Sequence, residues 1–306
     1  MSRAFRSAVL AVVALLPAAA AAETLTCTSI DALPYTIASS GHYCLNANFS
    51  QAFAASAITI SANNVVLDCN DHVVTQTGAT LVNGINGANR SLVTIRNCGL
   101  VGFNRAISLS EGAAGASRNN RILGNEIRQS RMAGINIAGT ANLVEGNRVA
   151  QNTGTGTVTY GILVSSFGNA GVGTVVRNNI VTHFAPTTAS DVVGIYLLDV
   201  ANTAVLNNTI SALFAPTGFY SRGIIGSSTV LGTAAVGNNV LAPTTGTPPG
   251  TAGGFSGPKP SGIRFEAVPT ASSRNVCRAN VVGHYTTNIL VESASNGCVK
   301  ASNTEF

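Results

Sequence analysis

The chain has 306 residues, of which 45% are hydrophobic and only 9% charged, with a formal net charge of +5. Its wealth of Val, Ile, Leu and Ala excludes an intrinsically disordered chain. Its basic residues stand singly, which excludes the clustered basic stripe that nucleic-acid binding requires.

In chain order, Arg3 and Arg6 precede an apolar run from Ala8 to Leu16, then Pro17 and the small residues Ala20, Ala21 and Ala22. This pattern predicts a secretory signal peptide over residues 1–22, its apolar run too short to span a bilayer. The expected product is secreted or periplasmic, with no membrane insertion in the mature form. Without Arg3 and Arg6, fifteen basic residues face twelve acidic ones.

Residues 23–56 carry Cys27 and Cys44 and little repeat pattern, as expected of an N-terminal cap that covers an unpaired backbone edge. Residues 57–306 repeat. One strand recurs around an Ile usually preceded by a small residue: Ile58, Ile85, Ile107, Ile135, Ile162, Ile195, Ile224, Ile263 and Ile289, spaced by 22 to 39 residues. A second pattern, apolar-x-x-Asn-x-apolar, follows each strand at Leu67/Asn70, Ile122/Asn125, Val144/Asn147, Val175/Asn178, Val205/Asn208, Ala235/Asn238 and Cys277/Asn280, with Ile95/Cys98 in the same register. A short alternating strand buries one side only, so a single coil cannot hold itself together and stacked coils can. The predicted fold is therefore all-β: a single-stranded right-handed parallel β-helix, a solenoid of about nine coils. An Asn at the same bend of each coil can bond to the Asn above and below it.

Cys27, Cys44, Cys69, Cys98, Cys277 and Cys298 form an even set in an exported chain, which reads as disulfides. Six cysteines allow fifteen pairings. Order and repeat register favour Cys27–Cys44, Cys69–Cys98 and Cys277–Cys298. No CxxC pair occurs, so neither a metal site nor a cofactor is expected.

The passages "GHYCLNANFS", "AITISANNVVLDCNDHVV", "VTIRNCGLVGF", "ILGNEI" and "GINIAGTANLVEGNRV" resemble the pectin-lyase-like parallel β-helix repeat proteins, in particular their periplasmic copper-maturation-factor-like subgroup. The resemblance covers roughly residues 35 to 303. It implies the fold, and through the subgroup a role in metalloenzyme assembly; the fold itself hosts lyases, hydrolases, epimerases and tailspikes.

Insertions are where a solenoid carries function without disturbing its core. The longer ones run over 151–159, 183–192, 211–221 and 241–261, each before the repeated strand. There the outward positions change from polar to apolar and aromatic. Tyr160, Tyr196, Arg222, Arg264 and Glu266 are predicted to line one groove, where tyrosines stack on sugar faces and arginines pair with uronate carboxylates. In the competing arrangement the loops fold down on Leu163, Leu198 and Ile225 as a second small core.

Hydrolysis needs two facing carboxylates, and Glu266 with Glu292 is the sole pair of acids stacked in neighbouring coils. The chain lacks the paired-Asp and Gly-His-Gly pattern of polygalacturonases, the Asp-Pro-His-Asp of mannuronan epimerases and the clustered aspartates that hold calcium in pectate lyases. The expectation is non-catalytic binding of an extended polysaccharide, or surface architecture. One alternative is a polysaccharide lyase or epimerase acting on uronate polymers through the Tyr196, Arg222, Arg264 and Glu266 region. Another is a periplasmic accessory factor for metalloenzyme assembly, which needs a metal site; Met132 is the sole methionine beyond the leader.

Overall fold

The β-branched and apolar runs of each repeat form strands of two to eight residues, and a computed structural model shows how they share one core. It describes residues 26–154, 158–167, 171–186, 189–228, 230–243, 261–265, 275–290 and 298–306. The predicted signal peptide, Glu266 and Glu292 lie outside the described residues, as do parts of the insertions over 151–159, 183–192 and 241–261.

Three parallel sheets form the walls of a right-handed parallel β-helix. The first has eleven strands, from Thr28–Ile30 to Cys298–Ala301; the second has ten, from Tyr35–Ile37 to Thr287–Leu290; the third has ten, from Phe49–Gln51 to Thr304–Glu305. A small pair, Gly171–Val172 with Val200–Ala201, lies outside these walls. Among the described residues there is no α-helix.

The repeated Ile forms an unbroken column in the second sheet, Ile58 paired with Ile85, Ile85 with Ile107, and so on through Ile263 and Ile289. Tyr35 continues this column beneath Ile58. The segment expected as a cap thus already contributes strands to all three sheets, and the stack starts one coil earlier than the Ile column indicates.

Strict alternation breaks at the small residue before the Ile. In Val158–Ser165, Thr159, Gly161, Ile162 and Val164 are buried, whereas Tyr160, Leu163 and Ser165 remain partly exposed. Two successive residues, Gly161 and Ile162, thus belong to the buried side. Glycine is required there because a Cβ would stand 2.4 Å from the Val181 side chain and 2.4 Å from the Gly194 carbonyl oxygen. This break places Tyr160 and Leu163, three positions apart, on the same outer face; uninterrupted alternation would put them on opposite faces.

Asparagines satisfy the bend between the first and third sheets. The Asn208 backbone N–H donates to Asn238 Oδ1 at 2.9 Å, and its Nδ2 donates to the Val176 carbonyl at 2.9 Å and to Asn238 Oδ1 at 3.0 Å. The same pattern links Asn125, Asn147, Asn179, Asn208, Asn238, Asn280 and Asn303. The ladder corrects two assignments. Asn179 occupies the rung expected of Asn178, which turns outward at φ +56° because Val176, and not Val175, is the inward residue of that strand. Asn70 stands outside the ladder at φ +49°, its Nδ2 bonded to the Leu45 carbonyl.

Three disulfides join neighbouring coils at or beside strands of the first sheet: Cys27–Cys44, Cys69–Cys98 and Cys277–Cys298. They tie together the two ends of the stack, where a coil has fewer neighbours to hold it.

Asn208→Ala removes the acceptor of the buried Asn179 N–H at 3.0 Å, and leaving such a donor unpaired is expected to cost about 3 kcal/mol. Thr203, whose buried hydroxyl has no partner, should tolerate Val with no loss or a small gain in stability. Denaturant unfolding of both variants checks the contrast.

Candidate functional site

The strands carrying the candidate groove are the longest of the second sheet: Val158–Ser165 and Asp191–Leu198 with eight residues each and Ser221–Ser227 with seven. Their extra length comes from the sequence insertions, whose last residues, including Thr159, Asp191, Val192 and Ser221, are strand and not loop. Two outward columns run along these coils. One is Arg105, Ala133, Tyr160, Val193, Arg222 and Ser261; the other is Ser108, Asn136, Leu163, Tyr196, Ile225 and Arg264.

The Tyr160 and Tyr196 rings stack at 5.3 Å between centroids and 29° between planes. Because they come from different columns of adjacent coils, the rings lie diagonally and overlap with an offset, the arrangement that aromatic quadrupoles favour. The Tyr196 hydroxyl is hydrogen-bonded to the Ser227 hydroxyl. Arg222 NH1 donates to Asp191 Oδ2 at 2.7 Å, and its guanidinium lies 4.6 Å from the centre of the exposed Tyr220 ring. Asp191 Oδ1 accepts the Tyr220 backbone N–H at 2.8 Å. The ion pair is therefore built from both sides.

Val158, Tyr160, Val193, Tyr196, Arg222, Ile225 and Ser227 line an open pocket of about 200 Å³. Ile225 is buried on its floor, while Leu163 and Leu198 are half-buried. The pocket brings together Tyr160, Tyr196 and Arg222 of the predicted groove residues. Arg264 stands beside Ile225 on the next coil and is not among the lining residues. Glu266 lies outside the described residues. Asp191 and Tyr220 escaped the sequence reading because only strand register places them beside Arg222; the signal present was that Asp191 lies four residues before Ile195, on the N-terminal extension of the repeated strand.

Burial raises the Tyr160 pKa above the ordinary phenol value, and the neighbouring Tyr196 and Asp191 push it further up; Arg105 and Arg222 act in the opposite direction. At neutral pH the phenol is protonated and serves as a hydrogen-bond donor, not as a base. Asp191 is engaged by Arg222, one of the lining residues.

A second pocket of about 210 Å³ opens on the outer face of the third sheet, between Asp71, Asn97, Gly99, Glu126 and Arg128. It has no aromatic lining residue, and Glu126 is shared by Arg128 at 2.9 Å and Arg148 at 2.8 Å. The tyrosine pocket is the better site because it joins an apolar ring surface to directional polar groups. Among the described residues no group of three or more His, Cys, Asp or Glu side chains converges in the manner of a metal centre.

Tyr160 is expected to ionise above the ordinary range of about 10 in an ultraviolet pH titration, and Tyr160→Phe should remove that late component. The folded pKa lies above the unfolded one, so the stability it contributes is present at neutral pH and is lost as pH rises from the unfolded value through the folded one. Wholly buried Tyr285, also pushed upward by burial, acts in the same sense. Thermal melts at rising pH check this alkaline loss.

No protein-family model matches the chain, and no curated protein matches it. Solved structures do. DFA-IIIase from Arthrobacter chlorophenolicus A6 in complex with DFA-III is 16% identical over 86% of this chain and 71% of that one, with a TM-score of 0.46. The catalytic domain of GH87 alpha-1,3-glucanase in complex with nigerose is 11% identical over 91% of this chain and 60% of that one, with a TM-score of 0.44. At these scores the likeness carries no argument about what this chain binds.

Proposed function

We propose that this chain is an exported protein that binds an extended polysaccharide, without catalysis, along the outer face of its second sheet. The observation that supports the reading best is the stacked Tyr160–Tyr196 pair beside the Asp191–Arg222 ion pair, in a pocket open to solvent. Aromatic rings cover the C–H face of a sugar. The ion pair leaves guanidinium N–H donors and carboxylate lone pairs free to bond hydroxyls. Since the two charges offset one another, this subsite suits an uncharged sugar unit. Export is supported by the three disulfides, which persist in oxidising compartments.

The lyase or epimerase alternative would use an arginine to neutralise a uronate and a tyrosine to take a proton. Of the Tyr196, Arg222, Arg264 and Glu266 region, Arg222 is already neutralised by Asp191 and the Tyr196 hydroxyl is bonded to the Ser227 hydroxyl. Among the described residues, the metalloenzyme-assembly alternative has no residue cluster in its favour.

Isothermal titration of the full chain against linear neutral and acidic oligosaccharides, with absorbance read for unsaturated products, tests the proposal. Binding without absorbance growth is expected, and Tyr160→Ala with Tyr196→Ala should weaken it about tenfold or more. Steady growth of unsaturated product would replace the binding reading by the lyase one. Silence towards every sugar would leave an architectural β-helix.

A further inference from the structure

In the notch at Gly99 on the third sheet, Glu126 is already shared by Arg128 and Arg148; Arg105, on the second sheet, is placed differently.

Arg105 stands in the same outward column as Tyr160, two strands before it, with Ala133 between them. Parallel strands lie about 4.8 Å apart, so the two backbones are about 10 Å apart along the stack. Ala133 is fully buried. Arg105 itself is half-exposed, yet its Nε is shielded from solvent and has no hydrogen-bond partner. Among the described residues no carboxylate pairs with this guanidinium, in contrast to Arg96, Arg128, Arg148, Arg177 and Arg222, each within 2.9 Å of an acid. Beside it lie Ser108 and Asn136, joined by a 3.1 Å hydrogen bond, which make this stretch of the face polar where the next coils are apolar.

Among the described residues the charges around Tyr160 therefore do not balance. Arg105 and Arg222 lie on either side of it and Asp191 offsets only one of them. A partly dehydrated guanidinium without a counter-charge is costly to the free protein, and an anion on its open edge recovers both the Coulomb attraction and a fork of N–H donors.

We propose that Arg105 anchors an anionic subsite, so that the glycan held on this face bears a carboxylate or sulfate about two coils N-terminal to the sugar that meets the tyrosines. The inference rests on the polysaccharide reading above and deepens it. The ligand is then a chain in which an acidic unit sits near an uncharged one, lying along the solenoid axis.

Isothermal titration of the full chain with hexagalacturonic acid, a chondroitin sulfate hexasaccharide and uncharged cellohexaose tests it. At least one acidic probe is expected to bind more tightly than cellohexaose, and carboxylate and sulfate are told apart by which one does. Arg105→Gln should lower that affinity about tenfold or more, the loss of a charge-assisted hydrogen-bond pair, and leave cellohexaose within about twofold. Arg105→Lys, which keeps charge but not the fork, should fall between. Tyr160→Ala should weaken both kinds of probe. Should Arg105→Gln fail to fold, Arg105→Lys and the salt sensitivity of the acidic probe alone decide the matter. Unchanged acidic affinity in Arg105→Gln, or equal wild-type affinity for all probes, overturns the anionic subsite while the glycan reading stands. No binding by any probe overturns both.

Discussion

Each coil of this chain depends on the coil above and below it. The inward residues of one turn, such as Ile162, Val176 and Val181, are buried only because Ile135, Val144 and Val149 beneath and Ile195, Val205 and Ile210 above repeat the same positions. Burying each such side chain contributes on the order of 1.5–3 kcal/mol. The gain requires identical register in all three sheets, since a slip by one residue would turn the apolar side of a strand to water. Where the walls come closest, the register is fixed further by glycine, because a Cβ at Gly161 or Gly194 would strike the opposite wall.

Polar groups at the bends obey the same constraint. A bend turns backbone N–H groups inward, away from water, and the Asn ladder supplies each with an acceptor on the neighbouring coil. The ladder and the Ile column reinforce one another. A shift that broke one would orphan the groups of the other, so the bends are as strongly specified as the core.

Outside the walls, the same register becomes a ruler. Residues in one column are held a strand spacing apart, and diagonal neighbours such as Tyr160 and Tyr196 are brought into ring contact. The polar stretch at Ser108 and Asn136, the tyrosine pair and the Asp191–Arg222 pair follow one another along a single face. Such a surface is shaped for a ligand that is itself extended and periodic. A compact ligand would use only one of these patches.

The solenoid is legible in the sequence: the Ile spacing, the small residue before it and the recurring Asn state both the stacking and the strand order, because a repeat that cannot bury its own face has to be covered by its copy. The sequence also placed Tyr160, Tyr196 and Arg222 on one face, since outward positions follow from the repeat. Which of Asn178 and Asn179 fills the rung emerges only in the folded chain, since the inward residue of a three-residue strand is set by its neighbours on both sides. It alone showed that Asp191 neutralises Arg222, that Arg264 falls outside the pocket and that no acid among the described residues pairs with Arg105. Those facts depend on side chains from different coils meeting across about 5–10 Å, a distance that strand register sets and that sequence separations of about thirty residues do not encode.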